Sequence, residues 1–296
     1  MKRRIETTTS RTAEWTCLAR AASTMERDPH YHSDDAVAPL LLPRFLQVAL
    51  RLKPLRDYLM HVITPDGMYE YVIARTKYID AAVVEALAER IEQVVVLGAG
   101  FDSRAVRFGP DAPGTRFFEL DAPTTQQAKI GQYRRRGVIL PSNAALVSID
   151  FEHDALSDRL DEAGFSRTAR SLFILEGVLM YLQPAAVEAT LGAIVSCGGP
   201  GSRLVADAVL ASVIRGASTV EGEAEIVRAV SKADEGWRFG LDRPEVGPYL
   251  ARFGLTLERC WGAAELEAAY FAAAGRAVGR VNGTHWLATA AVQPRN

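Results

Sequence analysis

From Tyr78 to the C-terminus, short apolar runs rich in Val, Ile, Leu and Phe alternate with stretches of helical spacing. That alternation restricts the chain to an α/β fold. A run such as "QVVVLG" (93–98) is apolar on every side chain. It needs cover on both faces, which a parallel sheet between two helical layers provides. "TRFFELD", "AALVSIDF", "SLFILEG" and "SRLVADAV" read as the next strands, and "TLERCW" and "THWLATAAV" as two closing ones. The last has no helix after it and is expected to run antiparallel, so the reading is a seven-stranded sheet. A helix is expected over 78–90, with Ile79, Val83, Ala86 and Leu87 on one face. Pro123 opens a second that ends before Gly137. Pro184 opens a third, which stops at Gly198.

The texture before Tyr78 is different. "TAEWTCLARAAST" reads as a helix and "RDPHYHSDD" as a polar turn. "AVAPLLLPRFLQVALRLKPL" is divided by Pro39, Pro43 and Pro54 into short helical pieces. The expected organisation is therefore a helical cap over 1–76 and a ligand-binding α/β domain over 77–296. That domain carries an insertion of helix and loop at about 212–240.

Composition narrows the function classes. A formal net charge of −2 gives no electrostatic case for nucleic acid. The longest basic run, Arg134-Arg135-Arg136, suits the C-terminal end of a helix dipole. Cys17, Cys197 and Cys260 are widely spaced and form neither a disulfide framework nor a zinc knuckle. No apolar core follows the basic N-terminus, and no run approaches the roughly 20 residues that span a bilayer. A cytoplasmic protein is expected, with a small-molecule partner and neither nucleic acid nor membrane; its oligomeric state is open.

The chemistry concentrates where strands end. Gly98-Ala99-Gly100 follows the first strand directly, and glycines there let a ligand approach the backbone. A dinucleotide fingerprint would place a third glycine at position 103, which is Ser103, preceded by Asp102. An acid at that position would repel a pyrophosphate. Glu119 and Asp121 end the second strand, and Asp121, nearer the tip, can accept both ribose hydroxyl protons. Asp150 beside Phe151 after the third strand suits an adenine, with its amino donor and flat face. Glu176 ends the fourth strand. One acid at one tip is commonly a helix cap; acids at successive tips suit a neutral or cationic nucleoside. S-adenosylmethionine has those properties, and its α-carboxylate calls for an arginine. Arg75 is the candidate, and a local pair with Asp80 is its alternative use.

In their order along the chain, "YVIARTKYID", "QVVVLGAGFDSRAVRF", "FFELD", "SIDF" and "LEGVLMYL" resemble the leucine carboxyl methyltransferase family, over roughly Thr12 to Ser202 plus the closing strand. The resemblance implies a class I methyltransferase Rossmann-like fold using S-adenosylmethionine, with N-terminal helices as a lid. By motif it implies Arg75 at the cofactor carboxylate, Gly98 and Gly100 in the methionine-side turn and Asp121 at the ribose. Asp150 and Phe151 would meet the adenine, Glu176 the ammonium, and Arg20 would reach in from the N-terminal helix. Usual relatives read "GAGLDTR", so Phe101 and Ser103 are mild variants. The histidine-bearing segments "RDPHYHSDD" and "NGTHWLATA" lie outside the broad pattern. They make His30, His32 and His285 candidates for a catalytic base or, if gathered, a metal; Tyr181 is a candidate wall of the acceptor pocket. A carboxylate acceptor needs no base, whereas a hydroxyl or a carbon acid such as a 2-oxo acid does. A nicotinamide-dependent oxidoreductase is the reading from another class.

Overall fold

The computed structural model describes residues 10–217, 226, 236–273 and 275–293. Its sheet contains strands β1 (Gln93–Leu97), β2 (Arg116–Asp121), β3 (Ala144–Ser148), β4 (Ser171–Leu175), β5 (Arg203–Val209), β6 (Leu255–Trp261) and β7 (His285–Val292). Their order across the sheet is β3-β2-β1-β4-β5-β7-β6. The first five pair in parallel, and β7 lies antiparallel between β5 and β6, in agreement with the expected antiparallel closing strand. A two-stranded ribbon, Ala272–Ala273 with Arg276–Ala277, stands apart from the sheet.

The buried residues of β1 divide between two cores by parity. Val94 and Val96 join Phe117, Ile174 and Val205 on one face, whereas Val95 and Leu97 join Phe118, Phe173 and Leu175 on the other. This is the two-sided burial that an all-apolar strand requires. Helices α1 (Arg11–Ser23), α2 (Ala38–Leu41), α3 (Arg44–Arg51), α4 (Lys53–Tyr58) and α5 (Met68–Ala88) precede the sheet. Leu59–Ile63 extends α4 as a π-helical turn. Pro39 and Pro54 sit in the first turns of α2 and α4, and Pro43 is the residue before α3. Each proline thus starts a new piece rather than continuing the last.

Helix α5 begins ten residues before the expected Tyr78 and runs unbroken through the boundary placed at 76/77. The early start is set at Gly67, against a distant segment. Gly67 caps the helix at φ 73°, and a Cβ there would come within 2.6 Å of the Asn282 backbone nitrogen. Only glycine tolerates both constraints.

Helices α6 (Arg104–Phe108), α7 (Pro123–Arg136), α8 (Leu156–Glu162) and α9 (Pro184–Cys197) connect the parallel strands. Arg134–Arg136 occupy the last turn of α7, ended by Gly137 at φ 65°. Beyond β5 come α10 (Ala211–Ile214), α11 (Arg243–Ala251) and α12 (Ala263–Tyr270); α8, α11 and α12 have no counterpart among the helices expected from the sequence. Most of the expected 212–240 insertion lies outside the described residues.

Candidate active site

The strand order reverses between β1 and β4, and the crevice at their carboxyl ends is where such sheets bind ligands. The loop after β1 holds Gly98 at φ 67° and Gly100 at φ 49°. A methyl group at Gly98 would run into the Val178 side chain, and one at Gly100 would lie 3.1 Å from the Ala13 Cβ. Helix α1 therefore rests directly on the turn. Arg20, from the same helix, donates to the Phe101 carbonyl at 2.6 Å and pairs with buried Asp35. Tyr181, in the single turn Leu179–Tyr181 after β4, meets the Thr12 hydroxyl at 3.2 Å. It ties the β4 tip to α1.

A chain of arginines and acids lines the crevice, nearly all of it buried. Arg75 donates to Asp207 at 2.7 Å and lies 3.0 Å from Glu176. Arg104 donates to Glu176 at 2.6 Å and to Asp80 at 2.7 Å, and it also pairs with Asp102. Arg107 grips Asp80 at 2.7 Å and 2.9 Å. Asp207 accepts two further bonds, from the Tyr71 hydroxyl at 2.8 Å and the Gly177 amide at 2.5 Å. Burial opposes ionisation of Glu176, but Arg104, Arg75 and Arg20 outweigh it and hold its pKa down at about 2. The Asp80 partner considered for Arg75 belongs instead to Arg104 and Arg107.

Asp121 accepts from the amides of Gly100 and Ala122, bridging the β2 tip to the glycine turn, and burial raises its pKa. Glu119, on the same face, is taken up by a fully buried pair with Lys129 at 2.6 Å. Asp150 lies beyond β3, where it accepts from the Glu152 amide and the His153 ring, each at 3.0 Å. Phe151 packs against the core beside it. Where a dinucleotide fold would need its third glycine, the Ser103 hydroxyl donates to Asp35 at 2.6 Å. Asp102 accepts from the Arg104 amide at 2.6 Å, so a carboxylate already occupies the start of α6, where a pyrophosphate would sit.

The candidate histidines do not converge on one another. His30 donates to the Tyr270 carbonyl at 3.0 Å and His32 to the Glu26 carbonyl at 3.1 Å. Among the described residues, no group of three or more His, Cys, Asp or Glu is arranged to hold a metal ion. His285 alone reaches the crevice. It pairs with Val209 across β5–β7, two residues beyond Asp207, and stacks on Tyr71 with ring centroids 4.5 Å apart. Burial, then Arg75, pushes its pKa down to about 3, so the ring is neutral.

Its tautomer follows from the neighbouring hydrogen bonds. Asn282 donates its amide nitrogen to the Asp66 carbonyl at 2.8 Å, leaving Oδ1 to accept from the Thr284 amide at 3.0 Å and hydroxyl at 2.6 Å. The single Thr284 proton is thereby spent. The 2.8 Å contact to His285 must then be donated by Nδ1, and Nε2 keeps its lone pair.

Asp207, Arg104, Asp35 and Tyr71 escaped the sequence reading. Asp207 had left one usable signal, a lone acid inside the apolar run "RLVADAV".

Comparison with known proteins fits this geometry. Residues 13–195 match the model of the leucine carboxyl methyltransferase family. The chain belongs to that family. The match takes in nearly all of α1, the glycine turn and the acids Asp121, Asp150 and Glu176, and it stops before Asp207 on β5. A relative from Mycobacterium avium (strain 104), provisionally named an S-adenosyl-L-methionine-dependent methyltransferase, is 37% identical over 59% of this chain and 54% of its own length. Another with the same provisional name, from Mycobacterium sp. (strain JLS), is 32% identical over 68% of this chain and 66% of its own. The chain thus spans between about half and two thirds of these family members. A solved chain from Thermobifida fusca, provisionally named a methyltransferase, superposes with a TM-score of 0.55 at 16% identity. It covers 96% of this chain and 98% of its own, a likeness of fold.

Proposed function

We propose that this chain is an S-adenosylmethionine-dependent methyltransferase that methylates an oxygen, carboxylate or hydroxyl, of a small natural-product-like acceptor. The observation that carries the reading is the set of side chains at the β1–β4 crevice. A glycine turn too tight for side chains faces a ribose-type acid, Asp121, and an arginine–carboxylate cluster, Arg75 with Glu176. That donor set matches the cofactor's groups: Asp121 for the ribose hydroxyls, Glu176 for the ammonium and Arg75 for the α-carboxylate. Arg104 Nη2 is buried and has no hydrogen-bond partner, which leaves the cluster a donor to offer an anion.

When bound, the cofactor supplies an electrophilic methyl group. The protein's own task is to orient the acceptor and exclude water. Helices α1 to α4 are read as the lid that does so, with Tyr181 on its rim. Within this reading a hydroxyl acceptor would need a base, and His285, the candidate beside the cluster, is held far below the pKa of an effective one by burial and Arg75, which favours a carboxylate acceptor. A metal-assisted carbon methylation draws no support from the separated histidines. A nicotinamide enzyme is opposed by the carboxylate of Asp102 at the α6 start. The compartment is read as cytoplasmic.

Asp121→Ala is expected to weaken S-adenosylhomocysteine binding at least tenfold in calorimetric titration, through loss of the two ribose bonds. Unchanged affinity would move the ribose elsewhere and remove the basis of this reading. Glu176→Gln is expected to loosen S-adenosylmethionine several-fold while leaving adenosine affinity alone; equal loss for both would contradict an ammonium-binding role.

A further inference from the structure

The stretch between Pro43 and Thr64 turns its apolar side chains the wrong way for a core. Leu50, Arg56 and Met60 point inward, while Phe45 (70% exposed), Val48 (59%), Leu52 (57%), Leu55 (39%), Tyr58 (50%) and Val62 (67%) face solvent. Scattered apolar residues on a surface need no explanation, but a patch gathered on consecutive short helices does.

The patch has a basic border. Arg44 and Arg51 are exposed at the two ends of α3, and Arg134 and Arg135 are exposed in the last turn of α7. None of these four makes an ion pair among the described residues. The two elements are joined: Arg136 donates to the Leu42 carbonyl at 3.0 Å, and a cleft of about 450 Å³ lies between Pro43, Arg44, Gln132, Arg135 and Arg136. Arg136 Nε is buried there without a hydrogen-bond partner. A chain of net charge −2 thus concentrates arginines that make no ion pair among the described residues beside an exposed apolar surface.

We propose that this face binds the surface of an anionic lipid bilayer, with α3 and α4 lying in the interface and the arginine cleft receiving a phosphate headgroup. Short amphipathic helices with apolar side chains on one side and arginines along the edge lie in membranes in this way. No helix among the described residues is long and apolar enough to cross a bilayer; the contact proposed is with the bilayer surface, a departure from the expectation of no membrane partner. Charge complementarity selects this occupant over a second copy of the chain. Anionic headgroups meet these arginines wherever the face lies on a bilayer, whereas a twofold contact would neutralise them only if it set an acidic edge opposite them. The apolar side chains also project from short helices instead of lining a groove, so the acyl boundary accommodates them without a matching pocket.

The test is co-sedimentation of the full chain with vesicles of phosphatidylcholine and phosphatidylglycerol (7:3), against phosphatidylcholine alone, at low and at 0.5 M salt. Binding to the mixed vesicles is expected to exceed that to neutral ones at least tenfold and to fall with salt. Arg134→Ser/Arg135→Ser is expected to cut partitioning by about 25-fold, at roughly fivefold per arginine near the surface. Phe45→Ser/Val48→Ser should abolish it, with circular dichroism confirming that both variants are folded. Absence of binding by the folded parent chain at low salt overturns the proposal. So does binding that survives Phe45→Ser/Val48→Ser, which would be adsorption by charge alone. A dimer in light scattering that those two substitutions dissociate would assign the patch to a second copy instead.

Discussion

Replacing Asp207 by alanine is expected to lower the unfolding free energy by about 3–5 kcal/mol, as loss of one partner from a buried ion pair generally does. Asp207 is fully buried and accepts from Arg75, Tyr71 and the Gly177 amide at once. Its removal leaves a guanidinium, a phenol and an amide with a shared acceptor missing, away from water that could replace it. Glu176 still faces Arg75, which places the loss within that range and not beyond it. Denaturant unfolding of Asp207→Ala and of the parent chain measures the difference directly. Asp161→Ala serves as the control. It breaks a pair with Arg167 at the surface, where solvent screens the charges, and should leave the curve almost unmoved. A small effect at Asp207 would mean that the cluster can reorganise or hydrate, and the crevice would then be far less rigid than its hydrogen bonds imply.

The second large effect is acid sensitivity arising from His285. The ring titrates near 6.5 in an unfolded chain but only at about 3 when folded. Below pH 6.5 the unfolded state therefore takes up a proton that the folded state refuses. Stability from this residue is fully present above 6.5 and is lost progressively as pH falls toward 3. Between pH 6.5 and 4.5 the loss is about 2–3 kcal/mol, from roughly two pH units at 1.36 kcal/mol each. The raised pKa values of Asp121, Glu119 and Glu70 act in the opposite direction, because a carboxyl that binds its proton more tightly when folded gains stability in acid. The informative quantity is thus the difference between the parent and His285→Gln, which cannot titrate. The variant is expected to lose less stability over that interval by about the stated amount. Parallel pH profiles would show that the ring protonates in place and that Nε2 is not held as a bare acceptor.

The legible part of this protein was the part written in local patterns. Period and composition located the seven strands because an apolar, β-branched run can be buried only between two layers. Pro123, Gly137, Pro184 and Gly198 marked helix ends because each restricts the backbone at its own position. The strand-tip acids and the glycine turn were legible for the same reason, since the carboxyl end of a parallel strand is defined by the strand itself. The start of α5 was not, because its cap depends on Gly67 fitting against Asn282, more than two hundred residues away.

Pairing was beyond local reading altogether. Nothing near Arg75 in sequence indicates that its partner is Asp207 on β5, or that Asp80 turns to Arg104 and Arg107. The histidines show the same limit. His30, His32 and His285 were equivalent candidates by composition, and only the β5–β7 register placed His285 beside Asp207 and stacked it on Tyr71. The sequence by itself determined the sheet, its antiparallel last strand and the acids and glycines at its carboxyl edge, because period and backbone restriction act within a few residues. Tertiary structure alone decided which charges neutralise one another and which histidine is held neutral, because ion pairing and desolvation depend on distances that only the packed chain sets.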